Sequence, residues 1–337
     1  MYNLGHLGLY KNIPKKRMFN PTPDYERDAY TLLQYKSHLR NEFLIPLKAN
    51  GDGSGVATIR LQSLETQSVK ITGNGKFYTD SAGTTELGIE STIDNTLGSL
   101  YVKVPAGESC YLVLGKADKL RGIGSTGINV IADGANVPYI NYCAINYPLI
   151  NLSVIRFNTV LNSSFTGSIN NTPNLTSLNI TYNSLSAFTG SIDNTPKLIQ
   201  LLFTNNILSE ITGSTDNTPD LLALTLINNL RSSFTGDIGK IVKCNLLNSH
   251  KNDKCTFTYV TRRSSWPSVY DSLFVSCASM TSTMVDNLLI DLDASGTIPA
   301  GAKLINLSGL CGAVTSASAT ARASLVNKGF TVTVNET

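Results

Sequence analysis

Charge is scarce in this chain: Asp, Glu, Lys and Arg together make up 15% of its 337 residues, against about 25% in ordinary soluble domains. That shortage excludes a disordered polyelectrolyte and a salt-bridged coiled coil. With 27 basic and 24 acidic side chains, a formal net charge of +3 offers little field for phosphate, so no nucleic-acid partner is expected. Histidine occurs only as His6, His38 and His250. None has a second metal ligand at helical spacing, and no pair fits a hydrolytic triad, so neither metal nor catalytic residues are expected. Paired carboxylates on one surface are also missing, which leaves glycoside hydrolysis without its two groups. No apolar run approaches the roughly 18 residues of a membrane-spanning helix. The six cysteines, at 110, 143, 244, 255, 277 and 311, are too dispersed for a CxxC metal knuckle and too few for a disulfide-held miniature. They read as small buried hydrophobes of a chain made in a reducing cytosol. The N-terminal residues carry no apolar run before a cleavage site, so no secretory signal peptide is expected unless a processed form has received a new Met1.

What the chain does have is a repeat. Phe165-Thr-Gly-Ser-Ile, Phe188-Thr-Gly-Ser-Ile, Ile211-Thr-Gly-Ser-Thr and Phe234-Thr-Gly-Asp-Ile recur at a fixed step of 23 residues. Within each step an Asn-Thr-Pro corner, at Pro173, Pro196 and Pro219, precedes a run of the form L-x-x-L-x-L-x-x-N. The clear copies are Leu175/Leu178/Ile180/Asn183, Leu198/Leu201/Phe203/Asn206 and Leu221/Leu224/Leu226/Asn229. Weaker copies stand upstream at Leu152/Ile155/Phe157 and downstream at Cys244/Leu247/Ser249/Asn252. Self-similarity of this kind is the mark of stacked structural units, none of which buries enough surface to fold alone.

Each position then has a physical role. The L-x-L segment predicts a short strand of a parallel sheet, with Leu178 and Ile180 facing in and Asn179 facing out. The recurring Asn183, Asn206 and Asn229 have amides that both donate and accept, suited to main-chain groups left open where each unit leaves its strand. Gly167, Gly190, Gly213 and Gly236 are expected at a second corner that needs positive φ or close backbone approach, and the proline fixes a third corner outside the ladder.

Both ends differ from the repeat. Strands are expected over 44–48, 56–61, 69–72, 100–104 and 111–114, a small antiparallel β domain able to seal the first unit. Ahead of it, 1–20 form an arm, and a helix opens at Thr22-Pro23-Asp24 with Leu32, Leu33 and Leu39 on its apolar side. After Asn252 the step breaks around Arg262-Arg263-Ser-Ser-Trp266-Pro267, where Trp266 either packs on the cap or stands exposed. Strands at 270–275, 303–307 and 330–334 then alternate with helices near 281–292 and from Thr315 or Ser316 to Gly329. The expected fold is an α/β leucine-rich-repeat solenoid: residues 1–43 an anchoring arm and helix, 44–120 the β domain, 121–269 the coils, and 270–337 helix-containing cap coils.

Two motifs are set aside. Gly122-Ile-Gly124-Ser-Thr-Gly127 matches G-x-G-x-x-G but is followed by a strand pattern, where a pyrophosphate needs a helix N-terminus. Asp291-x-Asp293-x-Ser295-Gly296 begins like a calcium loop, yet Ala302 stands where the bidentate Glu belongs, so an exposed turn after the helix is expected. No cofactor is expected.

Repeat solenoids of this kind bind through the solvent face of the parallel sheet. The outward row read from strand parity is Val154, Arg156, Asn158; Ser177, Asn179, Thr181; Gln200, Leu202, Thr204; Ala223, Thr225, Ile227; and Leu246, Asn248, His250. Uncharged hydroxyl and amide groups there suit sugar or neutral protein surfaces, and also simply keep a sheet soluble. The concave-face candidates are Arg156, Asn158, Asn179, Thr181, Gln200, Leu202, Thr204, Thr225, Ile227, Asn248 and His250; Leu202 and Ile227 equally suit a second subunit.

The β region containing Ile71-Thr-Gly-Asn-Gly-Lys-Phe-Tyr-Thr-Asp, the Phe-Thr-Gly-Ser-Ile units and the tail Thr315-Ser-Ala-Ser-Ala-Thr-Ala-Arg-Ala-Ser-Leu-Val-Asn-Lys-Gly-Phe-Thr-Val-Thr-Val resemble leucine-rich-repeat structural proteins of tailed bacteriophages, including crAss-like phages. The resemblance spans residues 45–337. It implies a non-enzymatic virion component, a tail or head fibre or a capsid decoration, assembled in the host cytoplasm and present as a homo-oligomer or in many copies. It further implies that residues 1–43 dock to other virion proteins while the repeat face meets a host-surface glycan or protein. The alternative is a bacterial surface or secreted leucine-rich-repeat binding module.

Overall fold

In the computed structural model the described residues are 32–33, 35–37, 39–49, 53–96, 98–126, 139–140, 143–145, 149–158, 165–181, 187–206, 209–229, 231–249, 254–267, 269–270, 272–296, 298–299 and 303–337. The fold is mostly β, with a large parallel sheet and few helices. The expected helix start at Thr22 lies outside the described residues; within 32–39 the described residues are helical up to Leu39, which is exposed rather than on a buried side.

The largest sheet is built on the repeat. Strands Val154–Asn158, Ser177–Thr181, Gln200–Thr204 and Ala223–Ile227 pair in parallel, and their partners are 23 residues apart: Ile155 with Leu178, Leu178 with Leu201, Leu201 with Leu224. The apolar spacing sets that register. Leu178, Ile180, Leu201, Phe203, Leu224 and Leu226 are all 0% exposed, and a slip by one residue would turn every one of them to solvent. The sheet continues through Leu246–Asn248, Ser272–Phe274, Lys303–Leu307 and Phe330–Val334.

At its other end the same sheet runs into the antiparallel region. Leu120–Thr126 pairs in parallel with Val154–Asn158 and antiparallel with Ala57–Ser63, beyond which lie Gly98–Lys103, Lys76–Tyr78 and Glu86–Gly88. A five-stranded sheet, including Phe43–Lys48, Gln67–Gly73 and Ser109–Leu114, is the second antiparallel layer of this region. One apolar cluster extends from Phe43 through the ladder to Phe330, so no break in the core separates these regions.

Sequence reasoning places Gly167, Gly190, Gly213 and Gly236 at corners, and here the structure corrects it. They lie inside strands Phe165–Ser168, Ala187–Ser191, Glu210–Ser214 and Ser233–Asp237 of a second, six-stranded parallel sheet. Positive φ is nevertheless required, at +118° for Gly190 and +122° for Gly213. A Cβ on Gly213 would come within 2.5 Å of Ser191 Oγ. From Phe165–Ser168 onward register partners in this sheet are 21 residues apart, so each glycine faces the apolar residue of the next unit: Gly190 beside Ile211, Gly213 beside Phe234. The sheet is thus staggered by two residues per unit relative to the sequence step. Two is the strand period, so the stagger leaves inward residues inward, and Phe188, Ile211, Phe234 and Phe257 are all 0% exposed.

Toward the C-terminus the second sheet ends at Thr256–Thr258, and helices take its side of the core: α1, Ser282–Ala294, and α2, Ala319–Asn327. Thr281 caps α1 by accepting from Met284 N, and Gly329, at φ +98°, follows α2. Asp286 is 4% exposed on α1 and accepts from Thr315 Oγ1 at 2.6 Å and Ser318 Oγ at 2.5 Å, which ties α1 to the turn before α2. Burial pushes its carboxyl up, but these hydroxyls and the Thr315 N–H outweigh that and hold it below the ordinary range.

Asp291 and Asp293 lie in the last turn of α1, not in a turn beyond it. Each carboxylate has a side-chain cation: Arg262 bonds Asp291, and Lys328 Nζ lies 2.6 Å from Asp293 Oδ1. Trp266 is 7% exposed and packs under the Arg263 guanidinium, 3.8 Å from the ring centroid.

Candidate functional site

The open surface of the first sheet is defined by strand parity. Register aligns its side chains in columns: Val154, Ser177, Gln200, Ala223 and Leu246 in one; Arg156, Asn179, Leu202, Thr225 and Asn248 in the next; Asn158, Thr181, Thr204 and Ile227 in the third. Val154, Arg156, Asn179, Thr181, Gln200, Leu202, Thr204, Thr225, Ile227, Leu246 and Asn248 are partly exposed, alternating with fully buried neighbours. His250 and Asn183 lie outside the described residues, and Asn158 is placed by its backbone register alone.

Among the described outward positions of these five strands Arg156 is the one charged side chain. Ser177 Oγ reaches Gln200 Oε1 at 3.2 Å across the first column. The surface extends past the row expected from the repeat. Ser272 and Phe274 continue the first two columns, and on the other side Arg60 and Arg156 both pair with Gly124, from the two strands that flank it. Gly124 belongs to a strand, and a Cβ there would meet Arg156 O at 2.5 Å. Close strand packing, not phosphate, explains that glycine; Gly127 lies outside the described residues.

Where each unit leaves the first sheet, the recurring asparagines close the backbone. Asn206 is 0% exposed, and its Nδ2 donates to Ile180 O at 2.7 Å and to Thr204 O at 3.0 Å. Its backbone N–H donates to Asn229 Oδ1, and Asn229 Nδ2 donates to Phe203 O. The amide therefore bonds both its own unit and the preceding one.

A second polar ladder, which sequence reasoning missed, runs along the corner after the second sheet. Asn170 Oδ1 accepts from Ser191 N at 2.9 Å and Asn194 Nδ2 at 2.8 Å; Asp193 Oδ1 accepts from Ser214 N and Asn217 Nδ2, both at 2.8 Å. Asp216 repeats the pattern, accepting from Asp237 N at 2.8 Å and Lys240 Nζ at 2.6 Å. Burial pushes the Asp193 carboxyl up, while Asn217, the Ser214 N–H and Ser191 more than offset this and hold it below its ordinary value. The signal was present as Ser-Ile-Asn-Asn-Thr-Pro, Ser-Ile-Asp-Asn-Thr-Pro and Ser-Thr-Asp-Asn-Thr-Pro at the 23-residue step.

Among the described residues no group of three or more His, Cys, Asp or Glu side chains is placed to hold a metal ion, and no helix is long and apolar enough to cross a membrane. Comparison with known proteins brings no match: no family model, no curated protein and no solved structure matches the chain.

Proposed function

We propose that this chain is a leucine-rich-repeat solenoid that serves as a non-enzymatic structural protein of a bacteriophage particle, a fibre or capsid decoration. Residues 1–43 dock it to other virion proteins, and the outward face of the first sheet meets a host-surface glycan or protein. One observation carries the reading: a regular parallel ladder holds a partly exposed surface on which, among the described outward positions of the five strands from Val154–Asn158 to Leu246–Asn248, Arg156 is the one charged side chain and stands among hydroxyls, amides and a few aliphatic groups. Such a surface varies freely without disturbing the core beneath it, and its uncharged donors and acceptors match sugar hydroxyls or neutral peptide better than phosphate. The resemblance of residues 45–337 to phage repeat proteins supports the location.

Mass spectrometry of purified phage particles, with copy number per particle, tests this. Stoichiometric copies are expected, and their loss on deletion of residues 1–20, with the melting temperature unchanged, is the expected mark of the docking arm. Recovery of the chain on bacterial envelopes instead would replace the reading with a surface binding module.

A further inference from the structure

An edge strand offers main-chain N–H and C=O groups to any strand that comes beside it. The two edges of the largest sheet differ in how they meet that exposure. At one end lies Glu86–Gly88, three residues long, with a register shift against Lys76–Tyr78 and with Glu86 Oε1 2.7 Å from Lys76 Nζ. Short length, charge and a bulge each discourage further pairing. At the other end lies Phe330–Val334, five residues without charge, proline or register shift, paired on one side only, with Lys303–Leu307. Among the described residues the edges of the five- and six-stranded sheets are shorter: Tyr139–Ile140, Glu90–Ile93, Cys143–Ile145 and Thr256–Thr258.

This edge also leaves the core partly open. Phe330 is buried, and Val332 and Val334 pack against the apolar cluster yet stay partly exposed, while Thr331 and Thr333 are exposed on the opposite face. Val326 stands 53% exposed on α2, the helix that packs on this strand. A stack of repeats needs its ends covered.

We propose that Phe330–Val334 is a dimer edge, pairing antiparallel with the same strand of a second copy of the chain, so that the largest sheet runs on from one copy into the other across a two-fold axis. Parity and charge select this occupant. A two-fold axis centred on Val332 pairs the whole strand: Phe330 with the second copy's Val334, Thr331 with its Thr333, and Val332 with its own counterpart. Apolar side then meets apolar side, whereas a slip of one residue would turn the second copy's apolar side to solvent. The same register brings Lys328 of each copy to the end where Glu336 of the other lies, opposite charges at both ends of the pairing. Glu336 remains 67% exposed in its pair with Arg322, and Lys328 reaches Asp293 within its own chain. An edge that complements itself is what a closed two-fold pair requires.

Analytical ultracentrifugation of the purified full chain over a concentration series tests this. A monomer–dimer equilibrium is expected, with a micromolar dissociation constant because one strand pair buries little surface. Thr331→Lys combined with Thr333→Lys sets like charges directly opposite each other on both sides of the axis and should weaken the dimer about 100-fold. Thr331→Lys combined with Thr333→Glu sets opposite charges there and should restore the dimer to within about threefold of the unaltered chain. Both threonines are exposed in the single chain, so at dilutions where every variant is monomeric the melting temperatures should agree. An unaltered chain that stays monomeric, a dimer indifferent to the two lysines, or a Lys/Glu combination as weak as the Lys/Lys one would each overturn the assignment. The result is read on isolated protein, so it stands or falls separately from the proposed place on a particle.

Discussion

The two parallel sheets of the ladder use one repeat in opposite ways. On the first, inward positions are constant and outward ones change from unit to unit: Asn179, Leu202 and Thr225 share a column and little chemistry. On the second and its corner, the outward groups repeat and bond one unit to the next, through Asn170, Asp193 and Asp216. A surface that repeats because its side chains hold the stack cannot vary without loss, whereas a surface that the stack merely carries can. The difference assigns structure to one side of the molecule and leaves the other open for contact.

That contrast can be broken by substitution. The largest loss is expected for Asn206→Leu, which strands Ile180 O and Thr204 O beneath a residue that is 0% exposed; urea unfolding should show a drop of about 3 kcal/mol. Gly213→Ala comes next, because φ +122° and Ser191 Oγ 2.5 Å from the new Cβ penalise it twice; the same assay should register about 2 kcal/mol. Asp193→Ala removes the acceptor of Ser214 N and Asn217 Nδ2 and should cost about 1 kcal/mol, while Asp193→Asn, which keeps an acceptor, should cost less. Leu202→Thr and Thr225→Ser on the open face should stay within about 0.5 kcal/mol. A loss there as large as that of Asn206→Leu would erase the distinction between the two surfaces.

Acid sharpens it further. Asp193, Asp286 and Asp291 all have folded-state values below their ordinary ones. Their contribution is therefore complete above the unfolded value of about 4 and is lost as pH falls through the lower folded values. The melting temperature should hold level from neutral pH down to about 5 and fall below about 4; Asp193→Asn should shallow that fall, and no substitution on the first sheet's open face should alter it.

Much of the first sheet was legible because its cause is local. The apolar residues at i, i+3 and i+5 repeat every 23 residues, and only one register buries them all, so Leu178, Leu201 and Leu224 align as their spacing predicts. Alternation then told which side of each strand faces out. The second sheet was not legible, because a glycine in Phe-Thr-Gly-Ser reads as a turn; its positive φ is adopted inside a strand, and the preceding unit fills the space where a side chain would go. The helix carrying Asp291 and Asp293 runs to Ala294, and Arg262 and Lys328, distant in sequence, neutralise the carboxylates of its last turn.

The repeat by itself determined the step, the buried stripe and the outward row, since these follow from the periodicity of one chain. Tertiary structure alone decided that the second strand of each unit is staggered by two residues and that the sheet runs unbroken from Leu120–Thr126 into the antiparallel strands. Each of these rests on groups far apart in the chain that come together only when neighbouring strands pair, and no local spacing encodes where another strand will lie.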